Sequence, residues 1–253
     1  MSVPATGQFY PLQMHLQNGE PFLRLKKHKN VIITPPRMSD ACELCSMTNH
    51  PLVFEWSEIP RLPVTLEETE IELKTRKATS DQTLCTLQAA QDGPEFLTVG
   101  FCPVDTLRLV LPSGTDTLIG SIFITRCEKG EFLSPAGPSI VDWENRLEHL
   151  EDNSSLDVGD PDIVWSLGFY LSPKFHGQGI MSDAVNTLLH DWAIPRMGVR
   201  RMLVFTFQGN HGSVKTLLKN GFKFLWTSED HYEVRGIRRS VNVLEWKLED
   251  DES

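Results

Sequence analysis

A turn with two closely spaced glycines lies between an apolar run and a periodic helix pattern. It occupies residues 172–181, with the sequence SPKFHGQGIM. Gly177 and Gly179 have no Cβ, so a ligand can approach the backbone closely at both positions. Backbone N–H groups at the start of a helix bind anions, because they lack partners and lie at the positive end of the helix dipole. The segment therefore predicts a phosphate-binding loop.

The hydrophobic spacing on either side predicts the elements that hold this loop. Residues 163–171 predict the strand before it. From Met181 the apolar residues recur at steps of three and four, which predicts a helix that Pro195 ends. Residues 201–207 predict a strand buried on both faces, and residues 213–220 predict a short helix. The order is strand, glycine loop, helix, strand, helix, strand.

Two blocks of this region resemble the acyl-CoA-binding blocks of the GNAT N-acetyltransferases. Residues 167–180 resemble the family's strand and its Gln/Arg-x-x-Gly-x-Gly/Ala loop, with Lys174 at the first position and both small positions matched. The second block has the family pattern Asn-x-x-(Ser/Ala)-x7-Gly-Phe. It is matched by Asn210, Ser213, Gly221 and Phe222. The two blocks have the family's order and separation, which makes the pair far more specific than either block alone.

Further positions are similar to the RimJ/RimL branch of this family, which acetylates protein amino termini and related amines. Ser213 and Leu217 are similar to that branch, and residues 32–41 and 118–122 resemble its first strand and helix and its third strand. The resemblance covers residues 30–248, with a poor stretch in the middle. It implies an α/β GNAT fold, in which a mixed, strongly curved sheet of about six to seven strands is flanked by helices.

The resemblance also implies a reaction. Acetyl-CoA would be the co-substrate, no metal would take part, and a primary amine of a protein N-terminus or a small molecule would attack the thioester directly in a ternary complex. N–H groups of the strand would polarise the carbonyl, and those of the loop would hold the pyrophosphate. The implied cofactor-binding residues are Phe169, Tyr170, Leu171, Lys174, His176, Gly177, Gln178, Gly179, Ile180, Asn210 and Ser213. Asn210 and Ser213 are also the implied catalytic residues.

Two of these roles have alternatives that the sequence leaves open. Lys174 either adds a cation near phosphate or is a solvated lysine. Ser213 either lies near the thiol or caps the helix that follows, and both roles are compatible.

Two departures from the family pattern bear on catalysis. Leu217 stands where many relatives carry a tyrosine general acid, and Ser166 where relatives often carry a glutamate base. An amine with a depressed pKa, or a water chain, would make a dedicated base unnecessary. The alternatives are an acyltransferase with another donor or acceptor, and a catalytically inactive CoA-binding module with a regulatory or scaffold role. Candidate bases by position alone are Glu55, Glu58, Asp142, Glu144 and His231.

The acceptor side is predicted from aromatic residues and from the order of the elements. Trp56 follows the first predicted helix, where the GNAT fold places its acceptor loop, and is the preferred wall of the pocket. The expected substrate-binding residues are Glu55, Trp56 and Trp143. Packing is the commoner role for any single aromatic residue. The identity of the amine stays open.

Composition narrows the class of protein. The chain has 253 residues and a formal net charge of −10, which argues against nucleic-acid binding through a positive surface. Its five cysteines give no even framework, so a reduced, cytoplasmic protein is expected. Cys42 and Cys45 form a C-x-x-C without a second pair at zinc spacing, and packing on a helix is favoured over a metal or redox role. No apolar run reaches the length of a membrane span.

The chain divides into three predicted parts. Residues 1–29 predict a hairpin-like appendage, because two alternating runs flank a turn at Asn18-Gly19. Residues 30–248 are the predicted acetyltransferase domain, and residues 249–253 an acidic tail. The basic run 26–29 is interpreted as a solvated strand end.

Helices and one insertion complete the prediction. Residues 39–48 predict the first helix, and residues 66–77 the second, with Thr65 as its cap. Residues 126–161 form a long insertion with a short helix over 141–150. The insertion is either a lid over the substrate or a plain surface loop.

Overall fold

One mixed sheet forms the centre of the protein. The computed structural model describes residues 2–4, 7–16 and 18–249. Within that part the strands are β1 (Ser2–Pro4), β2 (Gln13–His15), β3 (Pro21–Arg24), β4 (Val31–Thr34), β5 (Thr106–Val110), β6 (Asp116–Arg126), β7 (Val164–Leu171), β8 (Arg201–Phe207), β9 (Lys223–Val234) and β10 (Ile237–Lys247). They form a 10-stranded sheet in the order β1-β2-β3-β4-β5-β6-β7-β8-β10-β9. The sheet has more strands than the six to seven predicted, because β1, β2 and β3 extend one edge.

Helices cover the sheet on both faces, as the α/β prediction requires. They are α1 (Ala41–Thr48), α2 (Pro51–Phe54), α3 (Leu66–Ala89), α4 (Arg146–Ser155), α5 (Ile180–Leu188), α6 (Ile194–Met197) and α7 (His211–Leu218). Helix α3 begins at a reciprocal capping box between Thr65 and Glu68. The predicted end of this helix at Lys77 is wrong, because its buried face continues through Ser80 and Thr83. These small polar residues interrupt the apolar spacing from which the end was predicted.

The helix after the glycine loop does not stop at Pro195, as the sequence predicted. Helix α5 continues through a π-helical turn, Leu189–Ala193, into α6, and Pro195 lies in the first turn of α6. Proline cannot donate to the preceding turn of a continuous helix, and the regular hydrogen-bond pattern changes at the π-helical turn directly before it. The helix ends at Gly198, whose φ is +67°. The periodic face is buried as predicted, through Ala184, Val185, Leu188, Leu189 and Trp192.

A wedge opens between β7 and β8, the only parallel pair among the described strands. The two strands pair only where Val164 meets Arg201 and Trp165 meets Met202. Beyond these pairs β7 continues beside β6 and β8 continues beside β10. The separation of the two strands leaves one edge of each without a strand partner.

The two faces of the wedge are covered by different helices. Leu167 of β7 packs in the main core cluster with Val185 of α5. Tyr170 of the same strand packs on the other face, against the cluster that contains Leu73 of α3. Because side chains alternate along a strand, Ser166, Gly168 and Tyr170 share the α3 face of β7.

The N-terminal strands are joined to the main sheet. Strands β2 and β3 form an antiparallel hairpin, and β3 also pairs with β4. Leu12, Leu23 and Leu25 belong to the main core cluster. The division into an appendage over 1–29, a domain over 30–248 and a tail over 249–253 stays a prediction, and residues 250–253 of that tail lie outside the described residues.

The insertion over 126–161 is anchored at its end. Its helix, α4, begins later in the chain than the predicted 141–150. Asn153 of α4 bonds both backbone groups of Val164: its Nδ2 lies 3.0 Å from the carbonyl oxygen, and its Oδ1 accepts the N–H at 2.8 Å. These bonds fix the insertion at the start of β7.

Candidate active site

The glycine loop has the backbone shape that its sequence predicts. It follows a short 3-10 helix (Pro173–Phe175), and φ is +73° at Gly177 and +80° at Gly179. Residues other than glycine rarely adopt this left-handed backbone conformation. A Cβ at Gly177 would meet no atom within 4 Å. The space over Gly177 is therefore open to a ligand.

The N–H groups that follow are unused by the protein. Within the described part of the chain, no acceptor bonds the backbone N–H groups from Gly177 to Ser182. The first N–H of the helix with a partner is that of Asp183, which donates to Gly179 at 3.1 Å. A consecutive run of free donors at the start of a helix is an anion site.

The open edge of β7 supplies a second set of backbone groups. The Ser172 N–H donates to Ile119 at 2.7 Å, and the Val164 carbonyl accepts from Cys127 at 2.8 Å, so the even-numbered residues of β7 bond toward β6. In an antiparallel ladder the alternate residues point the other way. The N–H groups of Phe169 and Leu171 therefore face the wedge, whereas that of Tyr170 faces β6.

The side chains between residues 170 and 176 differ in exposure and in their contacts. The Nε2 of His176 lies 2.7 Å from the Leu171 carbonyl, which confirms the outward direction of that residue. Lys174 is exposed, and its carbonyl accepts from Gln178 at 2.8 Å. Tyr170 is half-buried, and burial of its hydroxyl near Arg76 raises the pKa of that group.

Asn210, and not Ser213, caps the helix beyond β8. The Oδ1 of Asn210 accepts the Ser213 N–H at 3.1 Å, so the alternative in which Ser213 caps the helix is wrong. Ser213 lies in the first turn of α7. The far end of α7 is tied to α5, because the Asn220 amide donates to the Ser182 carbonyl at 3.1 Å. Asn210 and Ser213 thus start a helix that is fixed beside the free N–H groups.

Trp56 lies at the C-terminal end of β8, on the α3 face of the sheet. It lines a small cleft of about 30 Å³, enough for one water molecule. A Cβ at Gly209 would lie 3.6 Å from the indole ring. The other residues that line this cleft are Glu58, Phe205, Thr206, Phe207 and Val241.

Two arginines of the β9–β10 hairpin hold the loop that carries Trp56. Arg235 donates to the carbonyls of Ser57 at 3.0 Å and Ile59 at 2.6 Å. Arg239 donates to the Glu55 carbonyl at 2.5 Å. Arg239 therefore contacts the backbone of Glu55, and the side chain of Glu55 is exposed.

Trp143 is exposed but packs on a buried network that the sequence did not reveal. Its ring stacks on His231 with centroids 4.8 Å apart. His231 lies 2.8 Å from the Ser228 hydroxyl and 3.3 Å from the Glu131 carboxylate. The Tyr232 hydroxyl donates to the same carboxylate.

Burial and the hydrogen bonds of this network shift the pKa values of Glu131 and Tyr232. Burial alone would raise the pKa of Glu131, but the hydrogen bonds from His231 and Tyr232 outweigh it and the pKa lies below its ordinary value. Burial and the bond to Glu131 raise the pKa of Tyr232. Tyr232 packs in one cluster with Trp56 and Phe207, which places the network beside the cleft.

The remaining candidate bases are spread over two places. Glu58 lines the cleft and pairs with Lys129 at 2.6 Å. Asp142 accepts from the Asn145 side chain and backbone, and these bonds lower its pKa. Glu144 is exposed on the insertion. Glu58 thus lines the cleft, and His231 lies in the network beside it.

Within residues 2–4, 7–16 and 18–249 no group of three or more His, Cys, Asp or Glu side chains is arranged to hold a metal. Cys42 and Cys45 lie on α1 as free thiols. No helix of the described chain combines the length and apolar character needed to cross a membrane.

A family model decides the classification. The model described as "Acetyltransferase (GNAT) domain" matches residues 30–223. The chain belongs to the GNAT acetyltransferase family. The α/β architecture, with its parallel pair β7 and β8 and its glycine loop, is the fold that this family membership requires. No curated protein matches the chain.

Solved structures of GNAT acetyltransferases share the fold at low identity. RimL, a ribosomal L7/L12 α-N-protein acetyltransferase, matches with a TM-score of 0.58 and 12% identity, over 94% of this chain and 99% of that one. The microcin C7 self-immunity acetyltransferase MccE, in complex with acetyl-CoA and AMP, matches with a TM-score of 0.55 and 13% identity, over 87% and 93%. Mycobacterium smegmatis RimJ, in complex with CoA-disulfide, matches with a TM-score of 0.52 and 16% identity, over 92% and 89%.

Proposed function

We propose that this GNAT acetyltransferase moves the acetyl group of acetyl-CoA to a primary amine by direct attack in a ternary complex. The observation that carries the proposal is the run of unpartnered N–H groups from Gly177 to Ser182, next to the β7–β8 wedge. MccE and RimJ, which share the fold, bind acetyl-CoA and CoA-disulfide.

The backbone supplies most of the binding. Residues 177–182 would hold the pyrophosphate through their N–H groups. The open edge of β7 would align the pantetheine arm, with Phe169 and Leu171 directing their N–H groups toward it. A backbone N–H aimed at the thioester oxygen stabilises the negative charge that develops there when the amine attacks. Holding both reactants in one wedge supplies a further large part of the acceleration.

The amine would enter from the α3 face, where Trp56 and Phe207 line the cleft. Glu58 lines the same cleft and its side chain is 50% exposed, so the proton released by the amine has a route to water. Leu217 is fully buried and offers no proton donor, so the departing thiolate would take its proton from solvent.

The test is release of CoA thiol on a panel of amines. The panel contains short peptides with free N-termini, the same peptides blocked at the N-terminus, a polyamine and small monoamines. Acetylated product, identified by mass, must appear with at least one free amine and never with the blocked peptides. Hydrolysis of acetyl-CoA without transfer to any amine would contradict the proposal, and binding of acetyl-CoA without turnover would favour the inactive module.

A further inference from the structure

The turn between β3 and β4 is attached to the helix that carries the glycine loop. The backbone N–H groups of Lys27 and His28 both donate to Asp183 Oδ2 at 2.8 Å. Asp183 lies in the first turn of α5, and its side chain is 1% exposed. The Nδ1 of His28 lies 2.8 Å from the same oxygen. The three lysines of the basic run 26–29 are exposed, as a solvated strand end would be, but His28 is part of the loop's surroundings.

His28 also contacts the glycine loop itself. Its Nε2 lies 3.1 Å from the Gln178 carbonyl oxygen. Both ring nitrogens thus face acceptors that have no proton to give, a carboxylate and a carbonyl. An imidazole satisfies two such acceptors only when both nitrogens carry hydrogen. With both nitrogens protonated, the ring donates to the carboxylate and to the carbonyl at once.

This contact sets the direction of one N–H group of the anion site. In a trans peptide the carbonyl and the following N–H point in opposite directions. With the Gln178 carbonyl held toward His28, the Gly179 N–H points away from His28, where no described residue accepts it. A peptide next to glycine rotates easily, and the contact with His28 restrains this one.

We infer that protonated His28 is a positioning residue for the cofactor phosphates and that cofactor affinity falls when His28 loses its second proton. The inference rests on the proposed function, because it takes residues 177–182 as the phosphate site. A neutral ring keeps its Nδ1 hydrogen toward the Asp183 carboxylate, where the charge favours it. Its Nε2 lone pair then repels the Gln178 carbonyl, and the Gly179 N–H loses its direction.

The other charged groups around His28 keep their charge near neutral pH. Burial alone would raise the pKa of Asp183. The hydrogen bonds from His28 and Lys27 outweigh burial and bring the pKa below its ordinary value, so the carboxylate stays ionised. Lys26 forms an ion pair with Asp191 at 2.7 Å. Lys27 and Lys29 share the turn and are exposed. On the loop, the Nε2 of His176 bonds the Leu171 carbonyl.

The test measures the Kd of CoA by calorimetry at about pH 6 and about pH 8.5, at constant ionic strength. The variant is His28→Gln, and His190→Gln is the control because His190 is an exposed histidine just beyond α5. We expect the parent to bind about tenfold more tightly than His28→Gln at the lower pH, and about equally at the higher pH. His190→Gln follows the parent at both values. Protonation of CoA itself affects the parent and the variant equally, so it cancels in the ratio of their Kd values at each pH.

Asp183→Asn gives a second, independent readout. Its Oδ1 still accepts from the turn, but it lacks the charge that favours the second proton on His28. The fall in CoA affinity should therefore occur at a lower pH than in the parent. If His28→Gln does not show a cooperative unfolding transition and is therefore not folded, the pH dependence of CoA affinity in Asp183→Asn tests the inference instead.

Three outcomes are decisive. An equal loss of affinity at both pH values in His28→Gln would reduce His28 to a structural contact and overturn the inference. So would parent-like binding at both values. If Gly177→Glu binds CoA as the parent does, the phosphate site itself is misplaced and the proposed function fails with it.

Discussion

Gly177→Ala separates the ligand role of a glycine from its backbone role, because the chain contains a matched control. Gly177 has φ of +73° and Gly114 has φ of +87°, and a Cβ at either would meet no atom within 4 Å. Both substitutions therefore cause backbone strain without a steric clash. Gly114 lies in the β5–β6 turn, remote in sequence from the proposed phosphate site.

The two variants should lose the same stability. An alanine in the left-handed region costs about 1–2 kcal/mol, and the stiffer unfolded chain offsets about 0.4–1 kcal/mol of this. The net loss of about 1 kcal/mol lowers the unfolding midpoint by about 2–4 °C in a protein of this size. Only Gly177→Ala places a methyl group on the approach to the free N–H groups. Losing one hydrogen bond to a charged phosphate weakens CoA binding roughly tenfold to a hundredfold.

The assay is a thermal unfolding scan without ligand, followed by calorimetric titration with CoA. Equal midpoints for the two variants, with weak binding in Gly177→Ala alone, would support the site. Parent-like CoA affinity in Gly177→Ala would refute the argument that the ligand approaches this backbone. A similar loss of affinity in Gly114→Ala would show that strain alone explains the effect.

Three further predictions follow from single residues. Asn210→Ala removes the cap of α7 and should lower the free energy of unfolding by about 1 kcal/mol in urea titrations, with Lys219→Ala at the other end of the helix as the control. The lowered pKa of Asp183 means that its contribution to stability is present at neutral pH and is lost as pH falls below about 4, so the urea midpoint of the parent should fall more steeply with acid than that of Asp183→Asn. Burial raises the pKa of the Cys127 thiol to about 12, so a disulfide reagent should label exposed Cys42 and Cys85 in the native protein and Cys127 only after unfolding.

The backbone shape of the proposed cofactor loop was predictable because its signals are local. Gly177 and Gly179 must adopt a backbone conformation that other residues avoid, and the sequence around them shows the change from strand to helix directly. Asn210 and Ser213 occur at a fixed spacing from Gly221. These features need no knowledge of which distant segments meet.

The proposed acceptor side was less predictable because its residues come together from distant segments. Glu131 meets His231 and Tyr232 across 100 and 101 residues of chain, and no spacing rule brings them together. Trp56 could be placed from its position after the first helix, yet its support comes from Arg235 and Arg239 of the last hairpin. His28 was hidden for the same reason, since its partner Asp183 lies 155 residues away.

The measurement that tests the central claim most directly is thermal unfolding of the parent, Gly177→Glu and Gly179→Glu with and without acetyl-CoA. A ligand at about a hundred times its Kd adds about 2.7 kcal/mol to the free energy of unfolding, which corresponds to a rise of about 5–10 °C in the midpoint. The account predicts this rise in the parent and its loss in both variants, because each glutamate brings a negative charge to the phosphate site. No rise in the parent at millimolar acetyl-CoA, or an undiminished rise in both variants, would contradict the claim that the loop binds the cofactor.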